Sequence, residues 1–496
     1  MSSTISKSRF VSGMQCEKKL FFDVYRKDLK PALTEEQKNV FNIGNLIGQL
    51  AQQRFPNGKD ASPENYYDFS KAIADTKNWI ATGVNTIYEA AFSENDVLAA
   101  LDILHHQNGE RWAIEVKSST EVKEYHITDA SLQYWVMSKS GFVPDRFFLM
   151  HVNADYVKKG PIDPKELFTL NDITDQVIEK QPEVEIELVR LKNILVHQQE
   201  PIIEIGKHCN KPFTCDYMHH CWNHIPKNSV FNLSYAKGKD WKLYNKGILE
   251  LSSIPEEFEL SHRQKLQVEG IKNNASFIDK AAIKEFTKNW TYPLYFFDFE
   301  TVFPAIPILD GTSPFQQVPF QYSLHILENE GAELQHREFL ASPTSFGNSK
   351  EIHPCLALIN QLKTDIGSSG SIVAYNAGFE MGVLSDLGKM FADEKEMIDG
   401  LIERFVDLLI PFRNAWYYTP AMGKSASIKS VLPALAPAFS YDDLEIGNGG
   451  LASDTFLSMI LNQFNGDVAL TREHLLSYCK RDTEGMVVIW KILDTL

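Results

Sequence analysis

The chain has 496 residues, too many for one ordinary hydrophobic core, so we expect two or three domains. Hydrophobic residues make up 44% and charged residues 23%, a balance that predicts a globular chain and excludes a largely disordered one. The formal net charge of −16 argues against a protein that simply coats nucleic acid.

The amino terminus and the apolar runs bear on location. No uninterrupted apolar run is long enough to cross a bilayer, and the first residues, MSSTISKSRF, lack the apolar core of a signal peptide. We therefore expect a cytoplasmic protein with no membrane partner. A basic stretch follows, and on charge alone it is interpreted as a solvated helix face rather than a phosphate-binding patch; it comprises Lys18, Lys19, Arg26, Lys27 and Lys30.

The first half of the chain is predicted to start with helices, pass through a β-rich middle and end in a helix. Pro56 and Gly58 end the first apolar run of helical spacing, and Asn108-Gly109 marks a turn between two strands. The expected elements are a helix over 35–54, strands over 97–104 and 111–117, a helix over 128–139, a strand over 145–152 and a longer helix over 173–197.

Two carboxylates and a lysine fall on the predicted hairpin. Asp102 lies on its first strand, whereas Glu115 and Lys117 lie two apart on the second and so point to the same face. Hairpin pairing places Asp102 beside them. Two carboxylates can hold a hard divalent cation that polarises a phosphoryl oxygen, and a lysine can stabilise charge at the phosphate. The alternative is a hairpin with ordinary exposed charges.

With Gln133 on the following helix, these residues resemble the motif of the PD-(D/E)XK nuclease superfamily, especially its RecB-like branch. The resemblance implies a restriction-endonuclease-like α/β domain over 1–225, with catalytic roles for Asp102, Glu115, Lys117 and Gln133. Asp102 and Glu115 would bind Mg²⁺ or Mn²⁺. Glu89, ahead of the first strand, would be an additional acid.

Two positions depart from the RecB-like pattern. Many of these enzymes have a tyrosine where this chain has Met137, and a metal-binding histidine after a glycine near the N-terminus, where the Gly44 segment offers Gly48 and no histidine. The metal would then be held by fewer protein ligands.

Cysteines cluster at the end of the first half. Cys209, Cys215 and Cys221 lie within thirteen residues, and Cys16 is the candidate fourth ligand. Thiolates this close suit a soft metal or an iron–sulfur cluster. One N-terminal and three C-terminal cysteines resemble the iron–sulfur RecB-like nucleases, including the CRISPR-associated family and the bacterial recombination helicase–nucleases. The resemblance implies a structural 4Fe–4S cluster that ties the ends of the domain together.

Zinc is the alternative metal at these cysteines, and unligated buried thiols are the other alternative. The segment around Cys16 resembles the family's N-terminal cysteine motif and favours iron–sulfur, whereas the loose C-x5-C-x5-C spacing leaves zinc open. The histidines that surround the cysteines are His208, His219, His220 and His224.

The second half begins with 226–290, which carries few motif signals and is predicted to be a helical connector. From 291 the pattern restarts as an alternation of strands and helices, which indicates an α/β domain over 291–496. The expected strands are 294–300, 320–327 and 371–376.

Four acids and a tyrosine form a second constellation. Asp298 and Glu300 end the first strand on one face, Glu380 follows the third strand, and Tyr478 and Asp482 are four apart on a predicted helix. The four carboxylates could cage two Mg²⁺ or Mn²⁺ ions, with Tyr478 orienting the attacking water in phosphodiester cleavage. Each of these motifs alone is more often a chance arrangement of surface residues. All of them in this order along one α/β chain arise by chance far less often.

This order resembles the DnaQ-like exonucleases of the DEDD group, which have an RNase H-like fold. The resemblance implies that the four acids bind metal, that Tyr478 marks the tyrosine subgroup, and that digestion runs 3′ to 5′. The family usually has aspartate where this chain has Glu380, whose longer arm changes the geometry. Asp407 is another acid near the expected sheet, interpreted as a strand-end or helix-start residue.

The complete pattern resembles a family of bacterial RecB-like nucleases in which an iron–sulfur PD-(D/E)XK domain is fused to an RNase H-like exonuclease domain. We expect a DNA nuclease acting on single-stranded or branched DNA, with RNA as a second substrate, in repair, mobile-element biology or defence. The rival hypotheses are a nucleic-acid-binding scaffold with one degenerate centre and a zinc-stabilised RNA-processing exoribonuclease.

Overall fold

The computed structural model describes residues 4–65, 68–347 and 352–496. Within them the chain forms two compact units: unit 1 is Met1–His224 with Ala305–Phe315, and unit 2 is Ile225–Pro304 with Gln316–Leu496. Both mix helices with a β-sheet, so the expectation of an α/β protein is confirmed at that level. In these described ranges, every helix is too short or too polar to span a bilayer.

Unit 1 is built on one mixed sheet. Its strands are β1 (Ile5–Ser6), β2 (Lys59–Asp60), β3 (Thr86–Glu94), β4 (Val97–Gln107), β5 (Glu110–Lys117), β6 (Arg146–Val152) and β7 (Phe168–Asp172). Its helices are α1 (Lys7–Gln15), α2 (Glu17–Tyr25), α3 (Glu35–Gln53), α4 (Ser70–Ala81), α5 (Glu124–Lys139), α6 (Pro164–Leu167), α7 (Thr174–Glu179), α8 (Gln181–His197) and α9 (Met218–Cys221).

The sheet runs in the order β2-β3-β4-β5-β6-β7, with β1 paired to the start of β4. The β4–β5 hairpin closes at Asn108 and Gly109, whose φ angles of 54° and 84° are both left-handed, as a two-residue type I′ turn requires. The predicted strands and turn in this region are therefore confirmed. The turn fixes the register of β4 against β5, and this register places Asp102 beside Glu115.

Apolar layers cover both faces of this sheet. One contains buried residues of α1, α5 and α8, such as Phe10, Leu132 and Leu191. The other contains Ile47 of α3 together with Ala305, the first residue of the Ala305–Phe315 segment of unit 1. The strand β9 (Leu294–Val302), which precedes this segment in the sequence, belongs to unit 2. Burial on both faces explains why the middle strands are almost continuously apolar.

Two predicted helices differ in detail from the structure. The helix predicted over 173–197 is wrong as a single element: it breaks at Lys180 into α7 and α8, because Pro182 cannot donate the backbone hydrogen bond that a continuous helix needs. The helix predicted over 35–54 is confirmed as α3, but Val40 on its apolar stripe is 63% exposed.

The basic stretch near the amino terminus is largely paired with acids. Lys18 lies 3.3 Å from Glu200, and Lys30 lies 2.9 Å from Asp216. The exposed pair at Lys30 agrees with the interpretation of a solvated surface, whereas Lys18 and Lys19 are half-buried and line a cavity.

Unit 2 contains a five-stranded sheet and a two-stranded one. Its strands are β8 (Phe277–Ile278), β9 (Leu294–Val302), β10 (Val318–Leu327), β11 (Gln335–Leu340), β12 (Ser371–Ala374), β13 (Phe405–Asp407) and β14 (Tyr417–Tyr418). Its helices are α10 (Lys239–Tyr244), α11 (His262–Asn273), α12 (Lys280–Thr287), α13 (Pro354–Asp365), α14 (Gly378–Met390), α15 (Lys395–Ile402), α16 (Ile410–Arg413), α17 (Ile428–Leu435), α18 (Gly449–Ile460) and α19 (Val468–Asp494).

The main sheet has the order β11-β10-β9-β12-β13. The strands β9, β10 and β11 pair antiparallel, whereas β12 and β13 run parallel to β9. The three strands predicted in this half are confirmed as β9, β10 and β12. The central strand β9 is almost wholly buried and continues to Val302, so Asp298 lies in its middle and Glu300 two residues further on rather than at its predicted end.

Residues 226–290, predicted to be a helical connector, lie in unit 2 and contain α10, α11 and α12. Gln267 of α11 is fully buried, accepts the backbone N–H of Ser234 at 2.8 Å and donates to the carbonyl of Asn232 at 2.7 Å. The polar residues of this helix therefore serve packing, which explains the weak periodic signal in the sequence.

Candidate metal centres

The N-terminal centre consists of Glu89, Asp102, Glu115, Lys117, Asp129 and Gln133 together with Lys7. The register of β4 and β5 pairs Ile103 with Ile114, so Asp102 lies directly opposite Glu115. On the other side of β4, Glu89 lies opposite Asp102 and has a left-handed φ of 53°. A non-glycine residue in this region is strained, as is common at functional sites. Three acids therefore lie side by side on adjacent strands.

Two lysines neutralise this row of acids. Lys7, at the start of α1, donates to both carboxylate oxygens of Glu115, at 3.1 and 3.2 Å. Lys117 donates to Glu115 at 2.8 Å and to Asp129 on α5 at 2.7 Å. Asp102 accepts the backbone N–H of Val116 at 2.6 Å. The carboxylates are thus already hydrogen-bonded within the protein.

Burial and neighbouring charges shift the pKa values of these carboxylates in opposite directions. Burial alone would raise the pKa of Glu115, but the charges of Lys117 and Lys7, together with the hydrogen bond from Lys117, hold it well below its usual range. Burial and the charge of Glu115 raise the pKa of Asp102. Burial raises the pKa of Glu89 to about 7, against the attraction of Lys7. One acid of the row is thus strongly ionised while its neighbours hold protons easily.

The structure brings the predicted residues Asp102, Glu115, Lys117 and Gln133 together, and adds two that the sequence analysis missed. Asp129 lies one turn before Gln133 on α5, so helical spacing could have identified it. Lys7 lies 108 positions from Glu115, and no local pattern marks it. Met137, at the position where a tyrosine is common, is fully buried in the core.

The thiol quartet comprises Cys16, Cys209, Cys215 and Cys221. All four line one cavity, and all are free thiols. Cys16 lies between α1 and α2, Cys209 ends the short 3₁₀ helix Lys207–Cys209, and Cys221 ends α9. The predicted set of ligands from both ends of unit 1 is therefore drawn together. Burial raises the pKa of Cys215 to about 11, so the metal-free thiol is protonated at neutral pH.

Contacts around the quartet explain how the distant Cys16 is positioned. The buried Gln15 donates from its amide to the carbonyls of His208 and Phe213, both at 2.7 Å. On α2, Phe22 packs against Tyr217 with ring centroids 5.1 Å apart. Tyr217 in turn donates to Asp23 at 2.8 Å. These bonds fix the N-terminal helices against the cysteine-rich segment.

The histidines differ in their relation to the quartet. His208 lines the same cavity as the thiols, and the His220 ring lies 5.3 Å from the Phe22 ring in an edge-on contact. His219 and His224 are exposed. His208 is therefore the histidine best placed for a mixed thiol and imidazole site.

The C-terminal centre consists of Asp298, Glu300, Glu380, Tyr478 and Asp482. The two acids of β9 lie two residues apart and share a face of the strand. Glu380 lies in the first turn of α14, and Tyr478 and Asp482 lie one turn apart on α19. A cavity of about 370 Å³ is lined by Asp298, Glu300, Tyr478 and Asp482.

Aromatic hydroxyls and one lysine surround Asp482. Tyr441 donates to Asp482 at 2.7 Å. The ammonium of Lys429 on α17 lies 5.3 Å from the ring centroid of Tyr478 and 5.7 Å from that of Tyr441. At the N-terminus of α18, a Cβ on Gly449 would lie 3.5 Å from a carboxylate oxygen of Glu300. The start of α18 therefore lies close to Glu300, at a distance where a methyl side chain would still fit.

The carboxylates of this centre repel one another in a buried setting. Burial and the charges of Asp482, Glu300 and Glu380 raise the pKa of Asp298. Burial and Asp482 raise the pKa of Glu300 to about 8, although Lys429 opposes the shift. Burial raises the pKa of Glu380 to about 8. Such a cluster favours a bound proton or a metal cation.

The ligand atoms needed for a metal are close together. One ligand atom each from Asp298, Glu300 and Cys479 lies within 4.8 Å of the other two. Glu380 is 2% exposed, and its Oε2 has no hydrogen-bond partner among the described residues. The donor set therefore fits a divalent cation better than it fits a purely structural network.

Three residues near this centre were not predicted from the sequence, and a fourth, Asp407, was given a structural role. Cys479 was not singled out, although its place one residue after Tyr478 was a signal. Lys429 and Tyr441 come from segments without a motif. Asp407 ends β13 and accepts the backbone N–H groups of Asn376 at 2.9 Å and Leu409 at 3.0 Å, which agrees with its interpretation as a strand-end residue.

Comparison with known proteins adds a family match to part of unit 2. Residues 295–427 match a domain of unknown function, DUF2779. This range contains Asp298, Glu300 and Glu380 and ends before Tyr478 and Asp482.

The chain is also similar to proteins of mycoplasmas. It is 26% identical over 209 residues to the uncharacterized protein MG366 homolog of Mycoplasma pneumoniae, covering 39% of this chain and 31% of that protein. It is 26% identical over 219 residues to the uncharacterized protein MG366 of Mycoplasma genitalium, covering 40% and 32%. A protein of Ureaplasma parvum, UU173, is 24% identical over 245 residues, covering 44% and 33%. The chain thus matches about a third of the length of these relatives.

Proposed function

We propose that this chain is a metal-dependent nuclease whose main catalytic centre lies in unit 2. The observation that carries the proposal is a cavity of about 370 Å³ lined by three acids, Asp298 and Glu300 of β9 and Asp482 of α19. Glu380 of α14 lies close enough for its charge to act on Asp298 and Glu300. Their mutual repulsion and burial make a divalent cation the natural occupant. Phosphodiester hydrolysis is the chemistry that such a carboxylate cage serves best.

Each residue of the centre has a role in this proposal. Two bound Mg²⁺ or Mn²⁺ ions would supply charge stabilisation at the attacking and leaving oxygens. Asp298, Glu300, Glu380 and Asp482 would hold them, and Tyr478 would orient the attacking water. Lys429 lies beside the cavity tyrosines and supplies a positive charge for the substrate phosphate.

The strand arrangement supports the assignment of an RNase H-like exonuclease domain. A central strand carries two of the acids, an antiparallel hairpin extends the sheet on one side and parallel strands extend it on the other. Asp482 comes from α19, which packs against that strand, and Glu380 comes from the first turn of α14, which follows the neighbouring strand β12. We therefore propose a DEDD-type exonuclease with 3′ to 5′ polarity.

Unit 1 is proposed to contain a RecB-like PD-(D/E)XK domain with DNA as its substrate, in single-stranded or branched form, and RNA as the second candidate. The side-by-side placement of Asp102 and Glu115, with Lys117 on the same strand, supports this assignment.

A second candidate function for unit 1 is nucleic-acid binding by a degenerate centre. The bidentate contact from Lys7 to Glu115 favours it, because the ammonium occupies the carboxylate oxygens that a metal would use. In that case unit 1 would act as a scaffold and only the C-terminal centre would cleave.

Paired variants test these assignments. The Asp298→Asn and Asp102→Asn proteins would be incubated with 5′- and 3′-labelled single-stranded DNA and RNA in Mg²⁺ or Mn²⁺. We expect Asp298→Asn to slow cleavage at least about a hundredfold, because a metal ligand loses its charge. The exposed Asp393→Asn serves as the control. Loss of cleavage in Asp298→Asn alone would favour the scaffold function for unit 1, and wild-type rates in both variants would refute the catalytic assignment.

We also propose that the thiol quartet holds a 4Fe–4S cluster, which the shared cavity of the four thiols supports. Anaerobic purification should give a brown protein with iron and sulfide. Cys16→Ser should lose most of the iron, whereas Cys355→Ser, at a buried cysteine of α13, should retain it. A colourless protein with stoichiometric zinc would instead favour the zinc-stabilised RNA-processing enzyme.

A further inference from the structure

Cys479 lies within the C-terminal centre. It follows Tyr478 on α19, is fully buried, and places its sulfur 3.8 Å from both the carbonyl oxygen and the Oδ2 atom of Asp298. Its sulfur, one oxygen of Asp298 and one of Glu300 lie within 4.8 Å of one another. Atoms that share one metal ion, at bond lengths of about 2.0–2.3 Å, lie within such a distance.

A buried cysteine often acts only as a small apolar side chain. The surroundings of Cys479 differ, since a carboxylate oxygen of Asp298 lies 3.8 Å from its sulfur and an oxygen of Glu300 lies within 4.8 Å of it. An independent feature also points to a cation here: Glu380 has a buried Oε2 without a hydrogen-bond partner among the described residues, and its charge acts on both Asp298 and Glu300. A buried carboxylate oxygen without a partner is costly unless a cation satisfies it.

We propose that Cys479 is a metal ligand, so that the centre is a mixed carboxylate and thiolate site that prefers Mn²⁺, Co²⁺, Zn²⁺ or Cd²⁺ to Mg²⁺. This assignment of Cys479 rests on the proposed function only because both use Asp298 and Glu300 as metal ligands. On binding, the S–H bond breaks, the metal–sulfur bond forms and the proton passes to solvent. Sulfur is a soft ligand that Mg²⁺ does not favour, whereas the other ions accept it.

The test uses the full chain with its thiol quartet loaded, titrated with Co²⁺ under anaerobic conditions. A thiolate-to-cobalt absorption band in the near ultraviolet should rise with one equivalent of the ion. The band should be absent from both Cys479→Ser and Cys479→Ala. Two substitutions of different size and polarity are used so that the result does not depend on the folding of one variant. Cys355→Ser is the matched control, because it removes another fully buried cysteine of unit 2, on α13.

Affinity gives a second measurement. Calorimetric titration with Cd²⁺ should show at least about a tenfold weaker binding for Cys479→Ser, with less than about a threefold change for Mg²⁺. A band of equal intensity in Cys479→Ser, or unchanged Cd²⁺ affinity, would overturn the proposal.

The two proposals fail in different ways. If Asp298→Asn cleaves normally but the thiolate band appears, the nuclease assignment fails and the metal site stands. If Asp298→Asn abolishes cleavage and no band appears, the nuclease assignment stands and the thiolate ligand is rejected.

Discussion

At the N-terminal centre, single side chains decide whether the acids need a metal. Lys7 and Lys117 both donate to Glu115, which is 2% exposed. A buried carboxylate without a counter-charge is strongly unfavourable, so these lysines stabilise the fold in the absence of any ion. Binding a metal at this place would require Lys7 to move or the ion to sit beside it.

Removing the ammonium of Lys7 tests this reasoning. We expect Lys7→Met to lower the free energy of unfolding by about 1–3 kcal/mol, the usual cost of removing a hydrogen-bond partner from a buried acceptor, because Lys117 still pairs with Glu115. Mn²⁺ should restore part of that loss, because the ion can replace the ammonium beside Glu115. Thermal unfolding with and without Mn²⁺ measures both effects.

The control for Lys7 is Lys71→Met, at the exposed pair of Lys71 with Glu64, where no measurable loss is expected. If Lys7→Met is as stable as the parent and indifferent to Mn²⁺, the ion pair does not balance the buried acid.

Among the elements, α19 and α17 set the geometry of the C-terminal centre. The helix α19 carries Tyr478, Cys479 and Asp482, and α17 carries Lys429. They pack closely because Gly485 leaves no side chain between them: a Cβ there would lie 2.6 Å from Leu432, which is fully buried. Close packing of this kind keeps Lys429 beside the two tyrosines.

Gly485→Ala should therefore lower the free energy of unfolding by about 1–3 kcal/mol through overpacking. It should also weaken substrate binding, because α17 must shift and move Lys429. Gly382→Ala is the matched control in α14, where a Cβ meets nothing within 4 Å. That change should stabilise the protein by about 0.5–1 kcal/mol through helix propensity. Denaturant unfolding compares the two, and equal stabilities would contradict this account of the helix contact.

The sequence was sufficient for elements whose signals are local. Asn108-Gly109 fixed the hairpin turn and hence the pairing of Asp102 with Glu115. The apolar strand before Asp298 gave the central strand of unit 2. The break at Lys180 was missed because the apolar periodicity continues past it, although Pro182 was visible.

Residues brought in from distant segments could not be predicted in the same way. Lys7 contacts Glu115 across 108 positions, and the approach of Lys429 to Tyr478 depends on how α17 and α19 pack. Neither contact leaves a periodic or spacing signal. The thiol quartet was an exception, because its chemistry identifies its members even when Cys16 is far from the rest.

Considered across the whole chain, the two centres balance their acids differently. In unit 1, lysines bonded to Glu115 and Asp129 supply the positive charge. In unit 2, burial and mutual repulsion raise the pKa of both Glu300 and Glu380 to about 8, with Lys429 opposing the shift at Glu300. The C-terminal centre therefore depends more on protons or on added cations for its stability.

This difference predicts a pH dependence for the metal-free protein. Glu300 and Glu380 have an ordinary pKa of 4.5 and a folded pKa of about 8, so between these values the folded state holds protons that the unfolded state has released. The free energy of unfolding must therefore fall as the pH rises from about 4.5 to about 8. The stabilising contribution of these two groups is largest below about pH 4.5. The charge of Asp482 raises the pKa of Glu300, and that of Asp407 raises the pKa of Glu380. The pKa of Asp298 is itself raised, so this acid adds to the loss of stability with rising pH.

Calorimetry in EDTA between pH 5 and pH 8.5 would measure this slope, with Mg²⁺ or Mn²⁺ added in a parallel series. Because two units need not unfold together, unit 2 is identified by the transition whose metal response is lost when Glu300 and Glu380 are changed. The double variant Glu300→Gln, Glu380→Gln should flatten the slope and lose the metal response, because neutral amides neither release protons nor hold the ion. A parent protein that gains stability toward pH 8 in EDTA, relative to this variant, would show that the buried acids do not repel one another as their placement requires.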